Sequence, residues 1–337
     1  MLPAPVSFHQ RRGGVGILNL HHHSPRSFSK LLRAPARLTN LSALLLSSLL
    51  AFSLLLNFRF FHLDSPTTQN NNAPPLLRSI VEALPERRPS AALGLDHLVI
   101  VPGHAIWIGA REEDAEVEDS WLLASYQKGR RRPIVFREHI SLGSQIATED
   151  PRALLIFSGG HTSPYSATSE GESYLRFARA MGLLPSADLF TRVTIEDAAL
   201  DSYQNVLFSI ARFRELTGAY PTRITIVGHN FKRRRFEELH RLAIRWPKLR
   251  FTYEGVPLGS EADEREAAAG ELANAFSPYS GDLYGCHAPL AQKRAGRNFH
   301  MRSHGYHAGA PELRELLEWC PKDGKQIFPG TLPWGKE

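Results

Sequence analysis

Five short apolar and β-branched runs, separated by stretches with helical spacing, constrain this 337-residue chain more than any other feature. They are residues 97–101 (HLVIV), 153–157 (ALLIF), 192–195 (RVTI), 223–227 (RITIV) and 250–253 (RFTY). Nearly continuous apolar runs of this length suit strands covered on both faces. Between them, residues 169–182 and 201–218 have helical patterns that end at a glycine, the usual C-terminal signal. Residues 231–246 place Phe236, Leu239, Leu242, Ala243 and Trp246 at helical spacing. Strand–helix alternation predicts an α/β domain with a parallel sheet of about five strands and helices on both faces. Residues 116–150 predict two helices between the first two strands, 262–276 and 311–319 read as helical, and 277–306 as mostly loop.

In open parallel sheets, ligands bind at the carboxyl ends of the strands. Here those ends read Pro102-Gly103-His104, Ser158-Gly159-Gly160-His161-Thr162, Glu196-Asp197 and Gly228-His229-Asn230. Glycine lets backbone N–H groups approach a ligand, and a following helix adds its positive dipole end, which favours anions; the plainer reading is that glycines after strands make tight turns. Ser169 with Glu172 and Asp201 with Gln204 fit capping boxes, which is a sufficient structural role for Ser169, Glu172 and Asp201. Glu170, Ser202 and Asn205, in the first turns of the same helices, have no such explanation. Lys232-Arg233-Arg234-Arg235 opens the helix after the fourth strand, where positive charge opposes the macrodipole, so a nearby anion is expected. Arg130, Arg131 and Arg132 follow a helix end at Gly129 and need no function.

These residues, from about Asp96 to Phe236, resemble the domain of unknown function family 218, which includes YdcF-like, SanA-like and ElyC-like proteins. The resemblance rests on Gly103, on Ser158-Gly159-Gly160, on Ser169-Glu170, on Glu196, Ser202 and Asn205, and on Arg235. Two departures stand in the fourth-strand turn: Gly228-His229 replaces the family's Thr-Ser, and Lys232 replaces its histidine. The resemblance implies a Rossmann-like fold and a site at the sheet edge, often with membrane anchoring, but no reaction and no cofactor. The chain beyond about Gly255 lies outside it.

The first acidic residue is Asp64, and the sequence between Arg37 and Arg59 carries no charge. Its core, LSALLLSSLLAFSLLLNF, is near the ~20 residues a transmembrane helix needs, and no small-residue cleavage site follows it. Residues 1–40 therefore read as a disordered basic tail, 41–61 as a transmembrane signal-anchor, 62–92 as a Pro- and Asn-rich linker, and 93–337 as the α/β domain with a C-terminal extension. Six basic residues precede the span, which predicts a cytoplasmic N-terminus and a lumenal domain in the endomembrane system. An Arg- and Ser-rich, acid-free tail equally fits a mitochondrial membrane address. His21, His22 and His23 read as low-complexity sequence within the tail.

Seven of the 40 Lys and Arg and one of the 34 Asp and Glu lie at or before residue 64, which leaves 33 of each in the remainder. The domain is thus neutral and gives no support for nucleic-acid binding. Cys286 and Cys320 are the only cysteines; whether they pair depends on the compartment. There is no GxSxG, Walker A, HExxH or GxGxxG pattern. The expected function is binding or processing of a small anionic, phosphate- or nucleotide-like ligand at the sheet edge. Gly103, His104, Ser158, Gly159, Gly160, His161, Thr162, Ser202, Asn205, His229, Lys232 and Arg235 are the candidate ligand contacts. Glu170 and Glu196 are the candidate acid/base groups. The alternatives are a non-catalytic tethered binding module, or a metal-dependent hydrolase using His104, His161 and His229.

Overall fold

The computed structural model describes the helix Arg37–Leu63, with side chains over residues 42–55, and residues 94–335 apart from 187, 188 and 190. The chain forms two compact units, Met1–Ile80 and Val81–Glu337. In the first, α1 (Arg37–Leu63) is a 27-residue helix. Its leucines Leu44, Leu45, Leu49, Leu50, Leu54 and Leu55 are all exposed. Among the described residues no helix is long and apolar enough to cross a membrane. The expected tail up to residue 36 and the linker from residue 64 lie outside the described residues.

The second unit is built on β1 (His97–Pro102), β4 (Ala153–Ser158), β5 (Val193–Glu196), β6 (Arg223–His229) and β7 (Phe251–Val256). They form one sheet in the order β5-β4-β1-β6-β7, with every neighbouring pair parallel. This is the Rossmann-like arrangement, and the strand order reverses between β1 and β6. Side chains alternate between two cores. Leu98, Ile100, Ile156 and Ile226 face one side, while Val99, Val101, Phe157 and Val227 face the other. Both faces are buried, which is why the strand sequences run nearly unbroken in apolar residues.

Helix α2 (Arg132–Glu149) and α3 (Glu170–Ala180) cover the Val99 face. Helix α4 (Ser202–Thr217) covers the Leu98 face, together with the C-terminal segments carrying Tyr279, Tyr284, Tyr306 and Trp334. The predicted caps form: Ser169 accepts from the Glu172 N–H and Asp201 from the Gln204 N–H, each at 2.9 Å. Residues 116–150 differ from the expectation of two helices. The one α-helix there is α2, with Pro133 in its first turn, preceded by single 3-10 turns at Glu118–Ser120 and Ser125–Gln127. The preceding stretch contributes β3 (Trp121–Leu122), which pairs antiparallel with β2 (Ile106–Trp107). Trp107 and Trp121 both pack on Phe177, so this segment is fixed by aromatic burial rather than by a helical stripe.

After β6 the chain makes a short 3-10 turn, Asn230–Lys232, and then a π-helical turn, Arg235–His240. Helix α5 (Glu261–Glu271) starts at Ser260, whose side chain caps the Asp263 N–H. It is tied back to the domain by Arg132–Asp263 and Arg130–Glu266 ion pairs. Cys286 and Cys320 form a disulfide.

Candidate functional site

The β1/β6 reversal is the switch point at which open α/β sheets bind ligands. His104, just after β1, and His229, the last residue of β6, meet there with ring centroids 4.7 Å apart. A third ring, His139 from the middle of α2, lies 4.5 Å from His229 and 5.4 Å from His104. One nitrogen from each of the three lies within 4.8 Å of the other two. The His104 backbone is fixed on both sides: its N–H donates to the Tyr174 hydroxyl at 3.2 Å, and its carbonyl accepts from Gln127 Nε2 at 2.9 Å.

Burial drives all three imidazoles toward the neutral form. His139 is pushed down to about 3, with the Lys232 charge adding to the effect. His104 and His229 are also held well below the ordinary value, first by burial and then by neighbouring cationic and imidazole groups. Lys232 sits against this cluster, its Nζ 3.4 Å from His104 Nδ1. Burial, reinforced by Arg235, pushes the Lys232 amine down to about 7.

His161 does not join the cluster. Its Nδ1 lies 2.6 Å from the Ala167 carbonyl and its Nε2 3.6 Å from Asp197, beside the His300 ring. The combination of His104, His161 and His229 is therefore not assembled, because the loop after β4 turns His161 toward the C-terminal extension. His139 was missed. It lies on the apolar stripe of α2 with Val135, Phe136, Ile140 and Gly143, where a histidine reads as core.

The glycines after β1 and β4 seat α3. A side chain at Gly103 would meet Glu170 Cβ at 2.5 Å, and one at Gly160 the Ala199 carbonyl at 2.6 Å. The Glu170 and Gly171 N–H groups donate to the Gly160 and Gly159 carbonyls. Glu170 accepts from the Thr162 hydroxyl, and burial raises its carboxyl above the usual range.

Glu196 is fully buried in a closed network. Ser158 Oγ donates to it at 2.8 Å, as do the Ala198 N–H at 2.8 Å and the Tyr306 hydroxyl at 3.1 Å. Ser158 also lies 3.0 Å from Asn205 Oδ1. Burial nevertheless lifts the Glu196 carboxyl to about 7. These three predicted residues tie β4, β5 and α4 together, with the carboxylate closed off from solvent.

Ser202 and Arg235 are placed together on the Leu98 side of the sheet. Arg235 Nη1 donates to Ser202 Oγ at 2.9 Å, and its Nε lies 2.8 Å from Glu271 at the end of α5. They line a cavity of about 70 Å³ with Lys293, Arg294 and Arg297 from the C-terminal extension, beside Asp201 and Tyr279. Arg294 is held by Asp201 at 2.6 Å, Lys293 by the Asn274 carbonyl and Arg297 by the Leu200 carbonyl. Of these four cations, Arg294 pairs with Asp201 in the cavity and Arg235 with Glu271 outside its lining. Tyr279 is 3% exposed, and its hydroxyl lies beside Ser202 without a hydrogen bond of normal geometry among the described residues. The three extension cations could not be found from local sequence, since nothing near them in the chain marks the α4 start as their neighbour.

No protein-family model matches the chain. It is similar to the uncharacterized protein YOR238W of Saccharomyces cerevisiae, with 27% identity over 280 residues, covering 68% of this chain and 90% of the yeast protein. No solved structure matches it.

Proposed function

We propose that this chain is a membrane-tethered α/β protein that binds a small dianion of the phosphate-ester class in the cavity at the N-terminus of α4. The observation that carries the reading is the convergence of Arg235, Lys293, Arg294 and Arg297 on that helix start, where the ion pairs among the described residues are Arg235–Glu271 and Arg294–Asp201. The surplus of two positive charges matches a phosphate monoester, which carries about −1.5 to −2 at neutral pH. The α4 dipole adds to the attraction, and the Tyr279 hydroxyl beside Ser202 is a further potential donor. A cavity of about 70 Å³ is far below the ~300–1,000 Å³ of sites that enclose whole drug-sized ligands. It suits the anionic head of a ligand whose remainder lies outside. Glu196 is closed off by its hydrogen bonds, which favours binding over acid/base turnover. The resemblance to family 218 supports the same sheet edge.

The anchor reading is supported by the helical state of residues 37–63 and by the exposed leucines between Leu44 and Leu55, among which Ser47 and Ser48 bond back to carbonyls one turn earlier. Pairing of Cys286 with Cys320 favours an oxidising, lumenal compartment over a reducing one. Thermal denaturation of the full chain with phosphate, phosphate monoesters or chloride tests the anion reading. Phosphate compounds should raise Tm at constant ionic strength, by mass action. Equal effects of phosphate and chloride would remove the reading.

A further inference from the structure

We propose that His104, His139 and His229 form a binding site for one first-row divalent metal ion of the zinc type at the β1/β6 switch point. Its ligands are not those of the anion cavity: His139 belongs to α2 on the Val99 face, whereas Tyr279 and Leu290 of the cavity belong to the opposite core, and Lys232 and Arg235 couple the two electrostatically.

Three observations carry the proposal. First, one nitrogen from each of the three rings falls within 4.8 Å of the others. Second, the nitrogens are unspent. His104 Nε2, His229 Nδ1 and both nitrogens of His139 are buried with no hydrogen-bond partner among the described residues, and His139 has no solvent exposure at all. Buried polar atoms are nearly always satisfied, so four such atoms in one cluster call for an unseen partner. Third, His104 presents its nitrogens unequally: Nδ1 faces Lys232, which leaves the orphaned Nε2 to coordinate.

Imidazole suits zinc, copper, iron and nickel, and three histidines with one open position are a known zinc arrangement. A tetrahedral ion at ~2.0–2.1 Å from each nitrogen separates them by about 3.4 Å, so the rings must close modestly from their present spacing. His104 and His229 are nearly parallel, 14° apart, and one of them must turn about χ2 to point at the ion. That torsion is broad in histidine. Among the described residues no carboxylate belongs to the group, so the fourth position is left to water or to an anionic oxygen.

The test is metal loading of the full chain in detergent. His21, His22 and His23 would bind metal adventitiously, so they are first replaced by alanine in every sample. After chelation and dialysis, Zn²⁺ is titrated and the retained metal counted. Co²⁺ is then substituted and its visible absorption recorded. The expected result is one retained ion per chain and the intense ligand-field bands of four-coordinate Co²⁺ with nitrogen donors. His139→Gln should weaken binding by more than the roughly 10–100-fold typical of losing an outer-shell partner. His161→Ala should leave loading unchanged. Failure of the tail-altered parent to retain an ion overturns the proposal directly, whether or not the His139 variant folds. Retention by a folded His139→Gln variant, shown by unchanged near-ultraviolet dichroism, also overturns it.

Discussion

Arg235 and Glu271 meet at 2.8 Å with only 9% of either side chain exposed, so the cation expected to hold an anion is already half-committed to a helix of the C-terminal extension. Removing one member of such a pair leaves an uncompensated buried charge, which costs about 3–5 kcal/mol. Glu271→Gln should therefore lower Tm in phosphate-free buffer. It also raises the local charge surplus by one, so phosphate should bind more tightly and recover more of the lost stability than it adds to the parent. Parallel melts with and without phosphate measure both effects; an identical phosphate increment in parent and variant would detach Glu271 from the cavity.

Glu196 gives a pH signature. Burial raises its folded pKa to about 7, above the ordinary 4.5. A raised carboxyl means the folded state holds the proton more tightly, so this group's contribution to stability falls as pH rises from about 4.5 to about 7. The shift is worth on the order of 3 kcal/mol. Other groups titrate in the same window, notably the buried histidines with the opposite sign. The difference between parent and Glu196→Gln melts isolates the residue. It should slope across pH 5–7 in favour of the variant at the high end, and a flat difference would mean that Glu196 is ionised at no cost.

The disulfide closes a loop with a sequence separation of 34. In the chain-entropy account such a loop stabilises by roughly 3–4 kcal/mol. Cys286→Ser with Cys320→Ser should lower Tm accordingly, and native chain extracted under alkylating conditions should show no free thiol. Quantitative alkylation without reductant would place the domain in a reducing compartment and argue against the lumenal assignment.

Legibility in the sequence followed the physics of each element. The strands were readable because both faces of a parallel sheet are buried, so Leu98 through Val101 carry no polar interruption. Ser169 and Asp201 were readable because capping is local. His139 was not, because a histidine on an apolar helix stripe looks the same whether it packs or coordinates. Nor were Lys293, Arg294 and Arg297, whose role depends on a long-range contact with the start of α4. Glu196 was singled out by its position at a strand end, but its three donors could be seen only in three dimensions.

The anchor is tested on membranes. Full chain should resist carbonate extraction, and a chain lacking residues 1–63 should be recovered in the soluble fraction. Release of the full chain by carbonate would rule out an integral span.

Calorimetric titration of inorganic phosphate into the full chain, beside its Arg297→Ala variant, tests the central claim most directly. Arg297 is exposed, and among the described residues its side chain donates to the Leu200 carbonyl only, so its loss should leave the fold intact. One site per chain is predicted for the parent, and the variant should bind about 1.5–3 kcal/mol more weakly, the usual worth of a charged hydrogen bond. Absence of a saturable site in the parent, or equal affinity in the two proteins, would contradict the account.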